Sequence, residues 1–535
     1  SAASDVYTRQ HYGMLLLLNN EHGVFQMSKK SFLTSLLSVV MLSACGQDNP
    51  NQHEETENTD QSSENQVSDS DSSASQENEI IQGASSDQLE NSFDVVVVGA
   101  GGGGMAAAIE AHDAGSSVAI FEKMPIVGGN TKASSGGMNA AGSSVQEAQD
   151  IEDDPELFFQ ESLEGGHGEN DEELLRYLTE NAADAIDWLD SLGITLDTLS
   201  YTGGMSQPRA HRPTDGSAVG EYLVEGLSHN IDERDIPVFL NSQVHGLIED
   251  DGEITGLEVD LNQTEQVQVE AGAVIVATGG FGANFEMLAE YDPELEDLVT
   301  TNHEGATGDG LKMIEDVGGN LIDMDQIQVH PTVHQEDGYL ISESVRGSGA
   351  ILVNQEGQRF VDEMETRDYV SESISNEEDG YAYIIGDAGL RDRASQVDQY
   401  DEMDLIVERD SIENLAQAID IDPEVLSTTL DDWNQAVDQG EDPEFNRTTA
   451  MDDQLNEGPF LAIQIAPGIH HTMGGAEINT LAQVISTEGQ VIPGLYAAGE
   501  TTGGVHGANR IGGNAVADII VFGRQAGKQA ADYTK

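Results

Sequence analysis

The 535-residue chain has a single cysteine, Cys45, which excludes an internal disulfide, a cysteine-ligated iron–sulfur cluster and a thiolate zinc site. No C-x-x-C-H sequence is present to attach haem. Electrons for any redox chemistry must therefore come from a separate protein or a soluble donor. Cations are nearly as scarce, with 21 Lys plus Arg against 99 Asp plus Glu and a formal net charge of −78. Such a field repels nucleic acid and anionic lipid headgroups, which argues against binding either through a basic surface. The acids are spread along the whole chain, which favours adaptation to high salt, where screening relieves self-repulsion, over a merely acidic tail. With so few cations, an arginine in an apolar or glycine-rich setting is expected to face an anion.

Residues 1–26 show no pattern that assigns them to an element. From Met27 the chain has a basic start, Lys29-Lys30, and an apolar run from Phe32 to Leu42 that is too short to span a bilayer comfortably. The run ends in Leu42-Ser43-Ala44-Cys45-Gly46, which resembles the bacterial lipobox, in which the cysteine carries lipid after cleavage. Residues 27–45 are accordingly read as a lipoprotein signal peptide with lipidation at Cys45. Residues 46–90, rich in Ser, Asp, Glu, Asn and Gln, are read as a disordered acidic linker. The expected location is extracytoplasmic, with a lipid anchor as the sole tie to the membrane.

The stretch Phe93 to Glu122 organises the remainder. Phe93 to Val98 is a β-branched run that suits a strand buried on both faces of a parallel sheet. Gly99, Gly101 and Gly104 fall in the G-x-G-x-x-G spacing: the first makes a tight turn, the second lets backbone approach a pyrophosphate, and the third lets a helix sit close to the strand. The following small-residue helix offers its N-terminal N–H groups to phosphates. A second strand, Val118 to Phe121, ends at Glu122, placed to accept a hydrogen bond from a ribose. This unit indicates dinucleotide binding and leaves NAD and FAD both open. A second glycine-rich region holds Gly129, Asn130, Thr131, Gly136 and Gly137, where backbone could approach a ring system. A helix is predicted over Asp171 to Leu192 and a strand over Val267 to Val276.

The blocks GAGGGG, GGNTKASSGGMNAAG, RAHRPT, ATGGFG, GATGDG, HPT, ESVRG, TRD, HHTMGG, LYAAGE and GANRIGGNA occur in this order from about Phe93 to the C-terminus. Together they resemble the soluble fumarate reductases and the flavin part of flavocytochrome c, relatives of the succinate dehydrogenase flavoprotein. The resemblance implies an α/β fold: a Rossmann-like FAD-binding domain, residues 91–324 and 472–535, with an inserted α+β capping domain, residues 325–471. It implies FAD, with further contacts at Lys123, Asp309, His471, Glu500, Asn514 and Ala515. Asn130 stands where membrane-bound relatives have the histidine that attaches FAD, so the flavin is expected to be noncovalent. No haem domain is expected before the flavin domain, where the acidic segment lies.

Carried over position by position, the resemblance implies that His470 and Arg510 hold one carboxylate of a dicarboxylate substrate and His330 and Ser342 the other. Ser342 replaces the Thr common in fumarate-reducing relatives and keeps the hydroxyl. The implied chemistry is hydride delivery from reduced flavin N5 to one alkene carbon and protonation of the other by Arg367, relayed by Glu343 and Arg346. On first principles a guanidinium is permanently charged, and Arg367 could equally be a fixed positive charge. The leading reading is a reductase of fumarate; alternatives are a reductase of urocanate or an acrylate, a flavin-dependent oxidase or dehydrogenase, and a ligand-binding lipoprotein without turnover.

Overall fold

Four consecutive valines, Val95 to Val98, present no polar side chain to either face of a strand, and they lie at the centre of an 8-stranded sheet. The computed structural model describes Ile81 and residues 83–535. The signal-like segment, Cys45 and the acidic stretch up to residue 80 lie outside the described residues. The acidic linker does not extend to residue 90: Ile81 is buried in the main core, and the Ala84 N–H donates to the Val238 carbonyl at 2.7 Å. Apolar burial and one backbone bond to a sheet edge order this stretch despite its polar composition.

Strand Ser92–Val98 pairs in parallel with Val118–Phe121 on one side and Glu265–Val276 on the other, with Val95 opposite Val118 and Ala273. Val238–Phe239 extends the sheet beyond the second strand, and Val491–Ala497 adds in parallel to Glu265–Val276. A hairpin, Gln243–Asp250 and Glu253–Leu261, continues antiparallel from the outer half of Glu265–Val276. The glycine loop then enters helix Gly102–Asp113, which packs on the terminal helix Asn514–Tyr533. Their backbones touch: a Cβ on Gly527 would lie 2.1 Å from the Ala107 carbonyl. The predicted helix at 171–192 spans Glu172–Ser191, capped by the Asp171 carboxylate on the N–H groups of Glu173 and Leu174.

A second, 5-stranded sheet is built from residues 327–472, with strand order Ile327–Val333, Phe460–Thr472, Ala382–Gly386, Ile351–Val353 and with Val407–Arg409 also on Phe460–Thr472. Alternation along its strands serves two cores. Leu352, Ile384 and Ile463 face one cluster, while Ile351, Ile385 and Ala462 face another with Trp433 and Leu426. The entering and returning chains pair with each other, Leu321–Ile322 with Gly475–Ala476 and Ile327 with Thr472. Both sheets therefore meet along these two crossings.

A Cβ on Gly104 would come 2.0 Å from the Gly99 carbonyl oxygen and 3.3 Å from the Val97 side chain. Gly104→Ala should destabilise the fold by about 1–3 kcal/mol, the usual cost of overpacking. A urea-unfolding midpoint equal to that of the native protein would contradict this packing account.

Candidate functional site

The first cleft, of about 820 Å³, opens at the C-terminal ends of the parallel strands and is lined by Gly99, Gly101, Gly102 and Gly103. Gly99 has φ +102°, and a Cβ there would meet the Ala277 carbonyl at 2.4 Å, so the turn requires glycine. Helix Gly102–Asp113 has no acid in its first turn, and its Gly102 N–H donates to Thr131 Oγ1 at 3.0 Å. In so acidic a chain, this leaves the positive end of the helix dipole free for an anion. Glu122 lines the cleft, but both its oxygens already accept backbone N–H groups, from Ala100 and Met124, each at 2.8 Å. Burial pushes its carboxyl up. A ribose hydroxyl would therefore add to bonds that already fix the strand end. Lys123 Nζ is held by Asp309 at 2.7 Å and Thr307 at 2.6 Å.

A second cleft, of about 1580 Å³, shares Asn130, Thr131, Glu500 and Ile519 with the first. It is lined also by Gly136, Gly137, Ala515, Arg367, His470, His471 and Arg510. Gly104 lies beneath the first cleft as a packing glycine, as its spacing suggests. Asn514 lines neither cleft: it is buried, bonded to Asn139 at 2.7 Å and Ser162 at 3.0 Å. Asn130 Nδ2 donates to Asn302 Oδ1 at 2.6 Å, and its Oδ1 accepts the His303 N–H at 3.0 Å. The two joined clefts fit a long dinucleotide, with a glycine cradle at one end and the buried, unpartnered His471 Nε2 at the other.

Beside the second cleft lies a buried cationic cluster. The His330 ring stands edge-on to that of His470, centroids 5.1 Å apart. The Thr332 N–H donates to His330 Nδ1 at 3.2 Å, which places the neutral ring's proton on Nε2, and Nε2 has no partner. Burial, and after it the charges of nearby arginines, push His330, His470 and His471 well below the ordinary histidine range, so all three are neutral donors at pH 7. Arg510 is itself pushed down to about 9 by burial and by Arg367. Ser342 caps the short helix Glu343–Gly347; its hydroxyl sits 2.8 Å from that of Ser344, and its N–H donates to Tyr400 Oη. His330, Ser342, Glu343 and Arg346 are buried behind the cleft rather than on its wall.

Arg367 Nε and Nη2 donate to Glu343 Oε2 at 2.9 and 2.8 Å, and the Gly203 N–H donates to the other oxygen. Burial pushes Glu343 up, but Arg367, Arg346 and the Gly203 N–H outweigh it and hold the carboxyl below its ordinary range. The sequence reading missed Gln328. Its Oε1 accepts from both Arg367 Nη1 and Arg510 Nη2 at 3.0 Å, and its Nε2 donates to the Arg510 carbonyl at 2.6 Å. It also missed Thr301, whose hydroxyl pairs with His470 Nδ1 at 2.7 Å, and His303 over the first cleft. Position two residues before His330, hence on the same strand face, was the one signal available for Gln328.

A glycine-turn dinucleotide cradle joined to a pocket of neutral histidines and arginines is the arrangement of an FAD-dependent oxidoreductase. Residues 94–516 match the FAD binding domain family, and the chain belongs to that family, among its fumarate reductase flavoproteins. It is 51% identical over 445 residues to the NADH:fumarate oxidoreductase of Klebsiella pneumoniae, covering 83% of this chain and 48% of that protein. It is 45% identical over 446 residues to the fumarate reductase (cytochrome) of Shewanella frigidimarina, covering 83% of this chain and 78% of the relative. The chain thus spans about half of the first relative and most of the second. Among solved structures, the open conformation of a flavocytochrome c3 fumarate reductase matches with a TM-score of 0.69 and 41% identity, over 84% of this chain and 79% of that one.

Gln328→Leu removes the acceptor that two buried guanidiniums share, and hydrogen bonds to charged groups are worth about 1.5–3 kcal/mol. The variant should lose about that much stability in urea unfolding of the flavin-free protein. An unchanged midpoint would mean that the arginines are held by other groups.

Proposed function

We propose that this protein is an FAD-dependent reductase of fumarate or a closely related unsaturated carboxylate, lipid-anchored outside the cytoplasm and supplied with electrons by a separate donor. The observation that carries the reading is the cluster of buried Arg510, Arg367 and His330 with half-buried His470 beside the flavin cleft, an excess of donors in a chain of net charge −78. Bound FAD, noncovalent beside Asn130, supplies the reducing equivalents, a hydride to one alkene carbon.

The chain's own residues supply orientation, polarisation and the proton. Arg510 and His470, on the cleft wall, hold one carboxylate; His330, whose unpartnered Nε2 lies behind the wall against the His470 ring, serves the other with Ser342 where that carboxylate reaches past the wall. Donors at both ends draw electron density from the C=C bond and stabilise the carbanion-like transition state. The Nε2–H tautomer of His330, fixed by the Thr332 N–H, supports this role because a neutral ring then donates without titrating near pH 7. Arg367 gives a proton to the second carbon. Glu343, in contact with Arg367 on one side, returns a proton to it, and Arg346 lies next along the route. The balance is two electrons and two protons taken up for one C=C bond saturated.

Anaerobic oxidation of a reduced viologen by the purified protein, against fumarate, urocanate and acrylate, tests the substrate class; fumarate should give the highest turnover. Arg367→Lys keeps a charge but moves the donor, so turnover should fall at least about 10²-fold, the lower end of the worth of general acid catalysis, with KM little changed. Arg510→Lys should instead raise KM strongly, because it breaks a bidentate contact. Near-normal turnover of Arg367→Lys would leave Arg367 as a fixed charge only. Acid precipitation should leave a colourless pellet and free FAD; a yellow pellet would overturn noncovalent attachment. Cys45→Ala should move the protein out of the membrane fraction with its activity intact, and unchanged membrane association would defeat the anchor.

A further inference from the structure

Behind Arg346 lies a second set of buried charges that no part of the reaction described above uses. Glu363, with no solvent exposure, accepts four hydrogen bonds: Arg359 Nε at 2.8 Å and the Leu352 N–H at 3.2 Å on Oε1, and Arg359 Nη2 at 2.8 Å and Arg447 Nη1 at 3.0 Å on Oε2. Asp442 closes the set by accepting from Arg359 Nη2 at 3.0 Å and from the Arg447 N–H at 3.3 Å. The ring of Trp433 forms a floor, 4.7 Å from the Arg359 guanidinium carbon and 4.8 Å from that of Arg447. Two acids and two arginines make a neutral group in which every lone-pair site of Glu363 is used.

This group grips Arg346 at both ends. The Arg346 guanidinium donates through Nη1 to the backbone carbonyl of Glu363, and the Arg346 backbone carbonyl accepts from Arg447 Nη2 at 2.9 Å. Arg447 also binds the carbonyls of Ala350 at 3.1 Å and Ala450 at 2.8 Å, so its own position is fixed independently of Arg346. Nε and Nη2 of Arg346 have no partner, although the residue is 1% exposed. Burial pushes the Arg346 guanidinium down, Glu343 and Glu363 pull it up, and Arg367 and Arg447 push it down further. Against burial, the charge of Arg346 is supported by Glu343 on the relay side and, more weakly, by Glu363 behind it.

Buried ion pairs offset their desolvation only with full hydrogen bonding, and a packed apolar cluster of the same volume often does as well. Stability alone is therefore a weak reason for four buried charges at this place. We propose that Glu363, clamped by Arg359 and Arg447, is a positioning residue that fixes Arg346 in place and in charge for proton delivery to Glu343 and Arg367. The assignment rests on the reductase reading above. None of the clamp residues lines either cleft or bonds His330, Ser342, His470 or Arg510, so the clamp acts on the proton step and leaves flavin and substrate contacts alone.

The test uses the full-length flavoprotein and begins with fumarate turnover by the native protein at known FAD content. Glu363→Gln keeps the shape and removes the charge. At matched flavin loading its kcat should fall at least about tenfold, below the full worth of general acid catalysis because Arg367 remains. Its KM should stay within about threefold, and the solvent deuterium isotope effect on kcat should grow as proton delivery becomes limiting. Arg447→Lys keeps the charge but loses the hold on four carbonyls, those of Arg346, Ala350, Thr449 and Ala450, and it should change kcat and the isotope effect in the same direction. It decides the matter if Glu363→Gln does not fold. A purely structural network would lower the melting temperature and leave kcat per flavin and the isotope effect as in the native protein, which overturns the proposal while the reductase reading stands. A native protein that reduces none of the unsaturated acids overturns both.

Discussion

Burying a guanidinium is costly unless its N–H groups find acceptors, and the pocket meets only part of that cost, leaving Nε of Arg510 and Nε and Nη2 of Arg346 unpaired, without neutralising itself. Arg367 and Arg510 share the amide oxygen of Gln328, a neutral acceptor, and one carboxylate, Glu343, stands against Arg367 and Arg346. Glu500 is the other acid nearby, and burial pushes it toward the protonated form. The cluster therefore keeps a positive excess for an anion to complete. A second carboxylate in place of Gln328 would satisfy the arginines equally and remove that excess. The interior reverses the composition of the chain: among the described residues, the buried acids are Glu343, Glu363, Asp387, Asp442 and Asp518, fewer than the buried arginines Arg209, Arg212, Arg346, Arg359, Arg367, Arg447 and Arg510.

The fold delivers these groups through two antiparallel crossings between its sheets. Strand Ile327–Val333 runs against Phe460–Thr472 with Gln328 opposite His471 and His330 opposite Gly468, and the register shifts on either side of Val329 and His330. Period-two alternation puts Gln328 and His330 on one face, while the irregularities re-aim side chains where a regular ladder would point them alternately away. Glycine 468 opposite His330 has Val333 packed where a Cβ would be. The same long strand carries His470 and His471, so the histidines and the shared glutamine belong to one pair of strands. Arg510 reaches them from the loop before the terminal helix, whose close seating on the glycine-loop helix fixes its height above the first cleft.

What could be read from the sequence was whatever is local. The glycine spacing, the valine run and the helix at 171–192 are each signalled by neighbouring residues, and each appears where its chemistry requires, with Asp171 as the helix cap rather than its first residue. The arginines were legible because cations are rare: Arg346, Arg367 and Arg510 stand out in a chain so acidic. Gln328 did not, since a glutamine in an alternating strand looks like a solvent-facing residue until position 510 is folded against it. Thr301 and the Glu363 clamp were hidden for the same reason, their partners lying 169 residues away in one case and 84 in the other. The order of Ile81 was missed because a lone Ile80-Ile81 pair in a polar tract carries no periodicity. Its stability comes from a core assembled by other segments.

Salt acts unequally on these two populations of charge. At 0.1 M ionic strength the field of an exposed charge is screened over about 10 Å, so the mutual repulsion of the surface acids weakens as salt rises. Arg367 and Arg510 are 8% exposed or less, and salt screens their contacts with Glu343 and Gln328 much less than it screens the surface. In concentrated salt the exterior thus loses the potential that would repel a dianion, while the pocket retains the one that attracts it. An acidic surface and a buried cationic site are in that sense complementary. Only by putting its few arginines inside can so negative a chain hold an anion at all when the solvent is dilute, and only there do they keep their field when it is not.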